Sequence, residues 1–203
     1  LATDAAYHVG RDIVPALGFV LNWAYIAQAQ SYFESIARPP LLQHVWSLAI
    51  EEQFFLLWPL ALMGIGLGHN RVTHGVTGMR LSVRHVLALV AATLCIASTV
   101  WMCVLSLGSA SLTRMYFGTD THAGGLLAGA ALAALLPSDW ATRTLRTNHE
   151  RLVAAMGIAG LVTVAVMALT VTETATFPYR GGFLLAAVAT LTAIVSAVRE
   201  GTA

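Results

Sequence analysis

The chain has 203 residues, of which 57% are hydrophobic and only 10% charged, and its mean hydropathy is +0.72. A soluble globular domain carries about 25% charged residues, so this composition excludes an ordinary soluble domain and indicates a membrane protein. The net charge is +1 and none of the eleven basic residues is lysine, which excludes the dense positive patch of a nucleic-acid-binding protein.

Six apolar stretches follow one another along the chain and predict an all-α, polytopic transmembrane helical bundle of about six spans. A spanning helix needs about 20 apolar residues, with about 17 as the lower limit. The six stretches are 12–28, 45–68, 85–107, 121–136, 152–171 and 181–198. Because the apolar content is nearly continuous along the chain, residues 1–203 are read as a single membrane-embedded domain without a separate soluble part.

Three smaller features complete the reading of the spans. Asn22 and Gln28 in the first stretch predict a face turned towards protein rather than lipid. Cys95 and Cys103, with neither CxxC nor loop positions, are read as small core residues. The chain opens at Leu1 without Met and without the order of a signal peptide. We therefore expect it to be an internal piece of a longer protein.

The second apolar stretch carries two adjacent carboxylates, within the sequence HVWSLAIEEQFFLLWP at 44–59. A charged side chain in the hydrocarbon region costs roughly 2.5 to 3.5 kcal/mol on insertion scales, so such residues are functional candidates first. At about 100° per residue, His44, Ser47 and Glu51 lie on one helix face, while Glu52 points about 100° away. The spacing predicts that the first three line one wall of a polar pocket.

A second polar block follows at 114–132, with the sequence RMYFGTDTHAGGLLAGAAL. Arg114, Tyr116, Asp120 and His122 lie at the start of the short fourth stretch. Basic residues are enriched in cytoplasmic loops, and eight arginines fall on one side of the predicted bundle against three on the other. This count places both polar blocks at the extracytoplasmic face of a cytoplasmic membrane.

The two blocks, in this order, closely resemble the signature of the acyltransferase 3 family of integral-membrane O-acyltransferases. The resemblance implies that the chain is the central part of a membrane-embedded acyltransferase domain. The implied reaction transfers an acyl group, usually acetyl from acetyl-CoA, to a hydroxyl of an extracytoplasmic polysaccharide, peptidoglycan or glycolipid. The implied partners are the lipid bilayer, the glycan or lipid-linked sugar acceptor and the acyl-CoA, with no permanently bound cofactor and no nucleic acid.

The resemblance also implies roles for residues of the first block. Glu51 matches the family's characteristic glutamate, so it either orients a histidine or binds the acceptor sugar; the alternative is a structural hydrogen bond between helices. His44 and Ser47 join it as catalytic candidates, against an interfacial histidine and a serine that bonds a helix carbonyl. Trp46 either walls a sugar site or packs, Glu52 is a weaker substrate-binding candidate, and residue 53, a glutamine, is expected to join helices by packing.

In the second block, the guanidinium of Arg114 suits coenzyme A phosphates, a lipid-linked sugar phosphate or Glu51, unless it only reaches the interface. Tyr116 and Asp120 match the family's motif, although Asp120 is read first as the N-cap of a helix beginning at the next residue. His122 stands where the family usually has arginine, so a fixed charge becomes a titratable group. The family's usual base, a histidine on an earlier span, is not in this sequence.

Two further readings concern the remaining motifs and the rival functions. Gly125 and Gly129 form a GxxxG pair, which favours close helix packing. The seven histidines are scattered without a metal-binding spacing, so no metal site is predicted. The rival functions are a transporter or carrier of a lipid-linked glycan, for which buried glutamates are equally natural, and a non-catalytic membrane module.

Overall fold

The structure, a computed structural model, describes residues 2–30, 40–73, 82–108, 110–136, 150–172 and 175–200. These residues form nine α-helices and one 3-10 turn, and no strand occurs among them. The helices are α1 (Ala2–Leu17), α2 (Leu21–Ala27), α3 (Val45–Thr73), α4 (Val83–Leu107), α5 (Leu112–Phe117), α6 (Thr119–His122), α7 (Gly124–Leu135), α8 (Glu150–Thr170) and α9 (Gly182–Glu200), and the 3-10 turn is Pro178–Arg180. The all-helical prediction is confirmed.

Three of the described helices are long and apolar enough to cross a membrane, and about six spans are not confirmed. The three segments are Val45–Gly68, Val83–Leu107 and Arg151–Thr170. The stretch 12–28 is divided between α1 and α2 by a turn at which Phe19 takes a left-handed φ of 54°. Helix α7 has 12 residues, a length of about 18 Å against a hydrocarbon thickness of about 30 Å.

The outer surface of α3 is what a lipid-facing helix presents. Phe55, Leu56, Leu57 and Leu60 are each at least 60% exposed. Contiguous exposed apolar surface of this kind is rare on soluble monomers and marks contact with a membrane or a partner. Together with the hydropathy of the three spanning helices, this surface supports a membrane protein.

Helix packing differs from the sequence expectation at the glycines. Among the described residues, nothing lies within 4 Å of a Cβ placed at Gly125 or Gly129, so the prediction of close packing at this pair is wrong. The close approach lies between α8 and α9, where a Cβ at Gly157 would meet the side chain of Ser196 and one at Gly160 would meet the carbonyl of Ala189. Helix α7 does pack on α4, but through Gly124, where a Cβ would lie 3.7 Å from the hydroxyls of Ser98 and Thr99.

Two sets of contacts join the helices: hydrogen bonds from an arginine and a buried apolar cluster. The guanidinium of Arg84, near the start of α4, donates to the carbonyl oxygens of Ala134, Leu135 and Leu136 at 3.2, 3.2 and 2.5 Å. These carbonyls have no partners within α7 because they end that helix, so the arginine joins α4 to α7. A buried cluster then packs α2, α3 and α5 together, and its members are Leu21, Tyr25, Trp46, Ile50 and Phe117.

Candidate functional site

The two polar blocks, far apart in the chain, meet in the structure through an aromatic cluster. The ring of Trp46, on α3, lies 4.8 Å from Tyr116, 5.2 Å from Phe117 and 5.4 Å from His122, measured between centroids. Trp46 is 8% exposed, so its ring packs against the second block. Centroid distances of 4.5–7 Å with tilted or edge-on rings are the favourable aromatic geometry.

A polar network joins the same elements beside the rings. Asn22 on α2 donates from Nδ2 to the carbonyl of Phe117 at 3.0 Å and to Thr119 Oγ1 at 2.9 Å. Gln53 on α3 donates from Nε2 to Asn22 Oδ1 at 3.1 Å and accepts from Thr119 Oγ1 at 2.6 Å. Asn22 is fully buried, which confirms the protein-facing prediction for this residue, and Gln53 joins helices as predicted. The same prediction is wrong for Gln28, which is exposed at the C-terminal end of α2.

Arg114 and Asp120 form a two-pronged ion pair across Gly118. Nη1 donates to Oδ1 at 3.0 Å and Nη2 to Oδ2 at 2.5 Å, and the indole Nε1 of Trp101 donates to Oδ2 at 2.8 Å. The guanidinium also lies 5.4 Å from the ring centroid of Trp23, within the range of a cation–π contact. A Cβ at Gly118 would overlap both charged groups, so the absence of a side chain at this position makes room for the pair.

The N-cap reading of Asp120 is wrong. Asp120 lies inside α6, whose N-cap is Gly118, and Ala123 precedes α7. Burial opposes ionisation of the Asp120 carboxyl, but the hydrogen bonds and charge of Arg114 outweigh it and lower its pKa. The partner of Arg114 among the expected carboxylates is therefore Asp120 rather than Glu51. Both residues were singled out from the sequence, but their pairing was not.

His122 lies deep in the cluster at the end of α6. Phe183 on α9 contacts its ring at a centroid distance of 4.9 Å, and the ring of Tyr116 lies 5.5 Å away. Burial lowers the pKa of His122 to about 4, and a hydrogen bond with the backbone of Met115 acts weakly in the opposite direction. The imidazole is therefore neutral at physiological pH, unlike the arginine found at this position in the family.

A cavity of about 110 Å³ opens beside the His122 ring. It lies where α4, α6, α7 and the start of α9 come together. Its wall includes His122, Thr99, Thr121, Gly125 and Phe183. Nothing in the sequence pattern indicated this cavity, because it depends on how α9 meets α4 and α7.

The proposed catalytic residues of the first block lie on the other face of α3. Ser47 and Glu51 are exposed, as is His44 in the turn before the helix, while Glu52 is half-buried. Ser47 Oγ donates to the His44 carbonyl at 3.3 Å, a local bond of the kind serines form in helices. In the part of the chain that the structure describes, no three His, Cys, Asp or Glu side chains group closely enough to hold a metal ion.

Comparison with curated proteins finds similarity along nearly the whole chain. It is 34% identical over 180 residues to the peptidoglycan O-acetyltransferase OatA of Listeria monocytogenes, covering 87% of this chain and 26% of that protein. It is 33% identical over 191 residues to YrhL of Bacillus subtilis, provisionally named a peptidoglycan O-acetyltransferase, covering 91% of this chain and 27% of that protein. A Staphylococcus aureus protein, provisionally named an O-acetyltransferase, is 31% identical over 207 residues, covering 100% and 31%.

The chain thus spans about a quarter to a third of the length of these relatives. No protein-family model matches the sequence. No solved structure matches it either. The family resemblance first drawn from the two blocks is confirmed by the relatives, which are named as O-acetyltransferases.

Proposed function

We propose that this chain, which belongs to the acyltransferase 3-type O-acetyltransferase family, is part of the membrane domain of an enzyme that transfers an acetyl group to a hydroxyl of peptidoglycan. The observation that carries the proposal is the 34% identity over 180 residues to a relative named for that activity. The structure adds support, because the two blocks that mark the family pack against each other through Trp46 and Tyr116. Another envelope polysaccharide or a glycolipid is the alternative acceptor, but the relatives' names support it less directly than peptidoglycan.

The reaction needs a group that takes the acceptor's proton and donors that stabilise the oxyanion. In our proposal, Glu51 orients the imidazole of His44 or of a histidine elsewhere in the complete protein, and Ser47 lies on the same face. These side chains are exposed, so they are accessible to a substrate. The half-buried Glu52 follows Glu51 in the sequence and points about 100° away from it. In this proposal it adds a further acceptor for sugar hydroxyls.

The proposed donor is acetyl-CoA or another acyl-CoA. Arg114 already binds Asp120 through Nη1 and Nη2, so in this proposal it holds α5 and α6 in place and meets a phosphate only through the N–H groups that the carboxylate leaves unused. The proposed site lies near the extracytoplasmic face of the cytoplasmic membrane, so the thioester has to reach across the bundle. Glu51 is exposed on a spanning helix, which is compatible with a thioester that reaches this residue from the cytoplasmic side.

The test is complementation of a bacterial strain that lacks peptidoglycan O-acetylation with the complete gene that contains this chain. We expect alkali-labile acetate to appear on purified peptidoglycan, because O-acetyl esters are cleaved by base. Glu51→Gln removes the charge while keeping the shape of the side chain, and we expect it to abolish the ester without lowering the amount of membrane-inserted protein. Glu51→Asp, which keeps the charge, should retain part of the activity.

Two outcomes would contradict the proposal. If the complete protein adds no ester to peptidoglycan while it is stably produced, the acetyl-transfer function is wrong. Passage of a lipid-linked glycan across the membrane with unchanged ester content would instead support a carrier. If acetylation persists at the parental rate in Glu51→Gln, the enzyme assignment stands but the role of Glu51 falls.

A further inference from the structure

One exposed tryptophan contacts each member of the ion pair between Arg114 and Asp120. The ring centroid of Trp23 lies 5.4 Å from the guanidinium carbon, and the indole Nε1 of Trp101 donates to the carboxylate at 2.8 Å. These two tryptophans are 37% and 46% exposed, whereas Trp46 in the aromatic cluster is 8% exposed. The side chains of the ion pair are themselves partly accessible. We call this accessible set the indole surface; its members are Trp23, Arg114, Asp120 and Trp101.

Hydrogen bonds from buried side chains hold the helices that carry both tryptophans. Asn22, which precedes Trp23 on α2, is bonded to the junction of α5 and α6. Ser98, three residues before Trp101 on α4, donates to the carbonyl of Asp120 at 2.6 Å. Both Asn22 and Ser98 are buried. A ligand on the indole surface therefore meets backbones that are already in place, which lowers the entropy cost of binding.

The ion pair keeps both donors and an acceptor for a ligand. A guanidinium has five N–H groups, and a carboxylate has about four lone-pair sites. Asp120 takes two of the N–H groups of Arg114, while Arg114 and Trp101 together occupy three of the lone-pair sites. The described residues thus leave N–H groups and a lone pair side by side. Hydroxyl groups both donate and accept hydrogen bonds, so they match what remains.

The opposite charges of the pair favour a neutral ligand. The pKa of Asp120 is lowered in spite of its burial, through its bonds to Arg114 and Trp101, so the carboxylate is ionised at physiological pH. A phosphate at the free N–H groups of Arg114 would lie beside this carboxylate, and like charges repel. A lipid chain, in turn, has no acceptor for those N–H groups. A neutral ligand with hydroxyls avoids both costs.

The exposed indoles suit the apolar part of the same ligand. The N–H of Trp101 is bonded to Asp120, so the accessible part of this side chain is carbon surface. A tryptophan that only anchors a helix at the lipid interface turns its N–H towards water or headgroups. A sugar ring has apolar C–H groups on its faces and hydroxyls at its edge. Aromatic walls with a few placed polar groups are the usual composition of a ligand site.

We infer that the indole surface binds a sugar of the acceptor glycan away from the reacting hydroxyl, with an indole stacked on the sugar ring and the ion pair bonded to its hydroxyls; the inference rests on the function proposed above. Both Trp23 and Trp101 are thereby assigned to acceptor binding. The alternative occupant is a phosphate of a lipid headgroup, which the test below distinguishes.

The position of the indole surface relative to Glu51 determines what kind of acceptor benefits from it. Gln53 bonds to the residues of α2 and α6 that adjoin this surface, and at about 100° per residue it lies nearly opposite Glu51 on α3. A helix with its side chains is about 10–12 Å across, so an acceptor has to be longer than that to contact both sides. Peptidoglycan strands repeat one disaccharide many times and meet this requirement.

Calorimetry on the complete protein in detergent, without acyl donor, tests the additional contact. The probes are a disaccharide fragment of peptidoglycan and a fragment several disaccharides long. We expect the longer fragment to bind the wild-type protein about 10-fold more tightly per disaccharide unit, because two linked contacts reinforce each other. Equal affinity per unit would overturn the inference.

Paired substitutions separate ring stacking from apolar burial. Trp23→Phe keeps an aromatic ring beside Arg114, whereas Trp23→Leu is apolar but has no flat ring. We expect Trp23→Leu to abolish the advantage of the longer fragment and Trp23→Phe to keep it within about 3-fold. The same contrast is expected at Trp101, where both substitutions lose the bond to Asp120 equally. If the leucine variants bind the longer fragment like wild type, the inference is wrong.

Two controls show whether the effect belongs to this surface and to a sugar. Trp58 is a half-buried indole stacked on Phe54, so Trp58→Leu should bind both fragments like wild type. Glycerol phosphate, the headgroup chemistry of an anionic lipid, should not displace the longer fragment. Displacement from wild type but not from Trp23→Leu would assign the surface to lipid headgroups and overturn the sugar site.

Kinetics distinguish the two proposals when one of them fails. Trp23→Leu should raise the KM for peptidoglycan strands several-fold and leave kcat unchanged, as expected for contacts that are equal in ground and transition states. If complementation yields no ester and neither fragment binds, the acetyl-transfer function is wrong and the sugar site falls with it. If the wild-type protein acetylates, but the Trp23 and Trp101 variants keep its KM, only the assignment of the indole surface is wrong.

Discussion

The polar side chains on the two sides of α3 differ in their surroundings: those on the inner face contact other helices, and those on the outer face are exposed. On the inner face, Gln53 is bonded to Asn22 and Thr119, and Trp46 packs on the second block. On the outer face, His44 and Glu51 are exposed. The inner residues are held by partners from other helices and therefore build the scaffold, while the outer ones remain accessible. The first polar block thus combines residues that hold the fold with residues whose side chains are exposed in the described part of the chain.

The largest effect that tests this contrast is expected inside the second block, from Asp120→Ala. The change leaves both prongs of Arg114 and the indole N–H of Trp101 without their acceptor. Hydrogen bonds to charged groups contribute roughly 1.5–3 kcal/mol, and the pair is partly exposed, with side-chain accessibilities of 25% and 38%. We therefore expect a loss of about 2 kcal/mol in unfolding free energy, measured as a lower melting temperature in detergent.

The double variant Asp120→Ala/Arg114→Ala serves as the control for this prediction. Removing both charges removes the unpaired guanidinium, so the double variant should lose less stability than the sum of the two single variants. A melting temperature equal to wild type in Asp120→Ala would show that the pair does not hold α5 and α6 together, and the contrast between the scaffold and the exposed face would lose its main support.

A somewhat smaller effect is expected from Gln53→Leu, on the inner face of α3. The change leaves Asn22 Oδ1 without its donor and the Thr119 hydroxyl without its acceptor, in a network of which Asn22 is buried and Thr119 half-buried. Unsatisfied buried polar groups cost about 1–3 kcal/mol, and the added leucine offsets part of that by its own burial. The expected loss is about 1–2 kcal/mol by thermal unfolding. Leu56→Ala, on a side chain that is 70% exposed, is the control and should change little in detergent.

On the outer face, the prediction concerns activity rather than stability. We expect His44→Ala to lower acetyl transfer about 10-fold, equivalent to about 1.4 kcal/mol of activation free energy, with an unchanged melting temperature because the side chain is exposed. Leu48→Ala, an exposed apolar neighbour, should leave the rate unchanged. If His44→Ala lowers the melting temperature, and acetyl transfer falls only as much as the amount of folded protein, the distinction between the two faces is wrong.

The all-helical membrane fold could be predicted from the sequence, because the hydropathy of each stretch is the sum of its own residues and needs no knowledge of contacts. The sequence also located Asn22 and Gln53 correctly, since polar side chains in apolar helices need protein partners. The expected number of about six spans is not confirmed among the described residues, because hydropathy alone does not show the turn after α1 or the break between α6 and α7. An apolar run sets an upper limit on helix length but does not exclude a break.

Pairings within the site were harder to predict. The sequence predicts an N-cap at Asp120 because the next apolar stretch begins at Thr121, but Gly118 ends α5 and the chain starts α6 one residue before Asp120. That break brings Asp120 back onto Arg114. The cavity beside His122 also depends on Phe183, from an element 61 positions further along the chain. Such contacts depend on the turns between helices, and the periodicity of residues within one helix does not predict them.

The smallest expected effect is at the glycines of α7, where the sequence and the structure disagree. Gly129→Ala places a methyl group in open space and removes the conformational entropy cost of a helical glycine, worth roughly 0.5–1 kcal/mol. The variant should therefore melt at a slightly higher temperature. Gly160→Ala is the opposing case, because its methyl group would overlap the carbonyl of Ala189 on α9, and it should destabilise the protein. If Gly129→Ala destabilises instead, a close helix contact does exist at that position, as the GxxxG spacing first indicated.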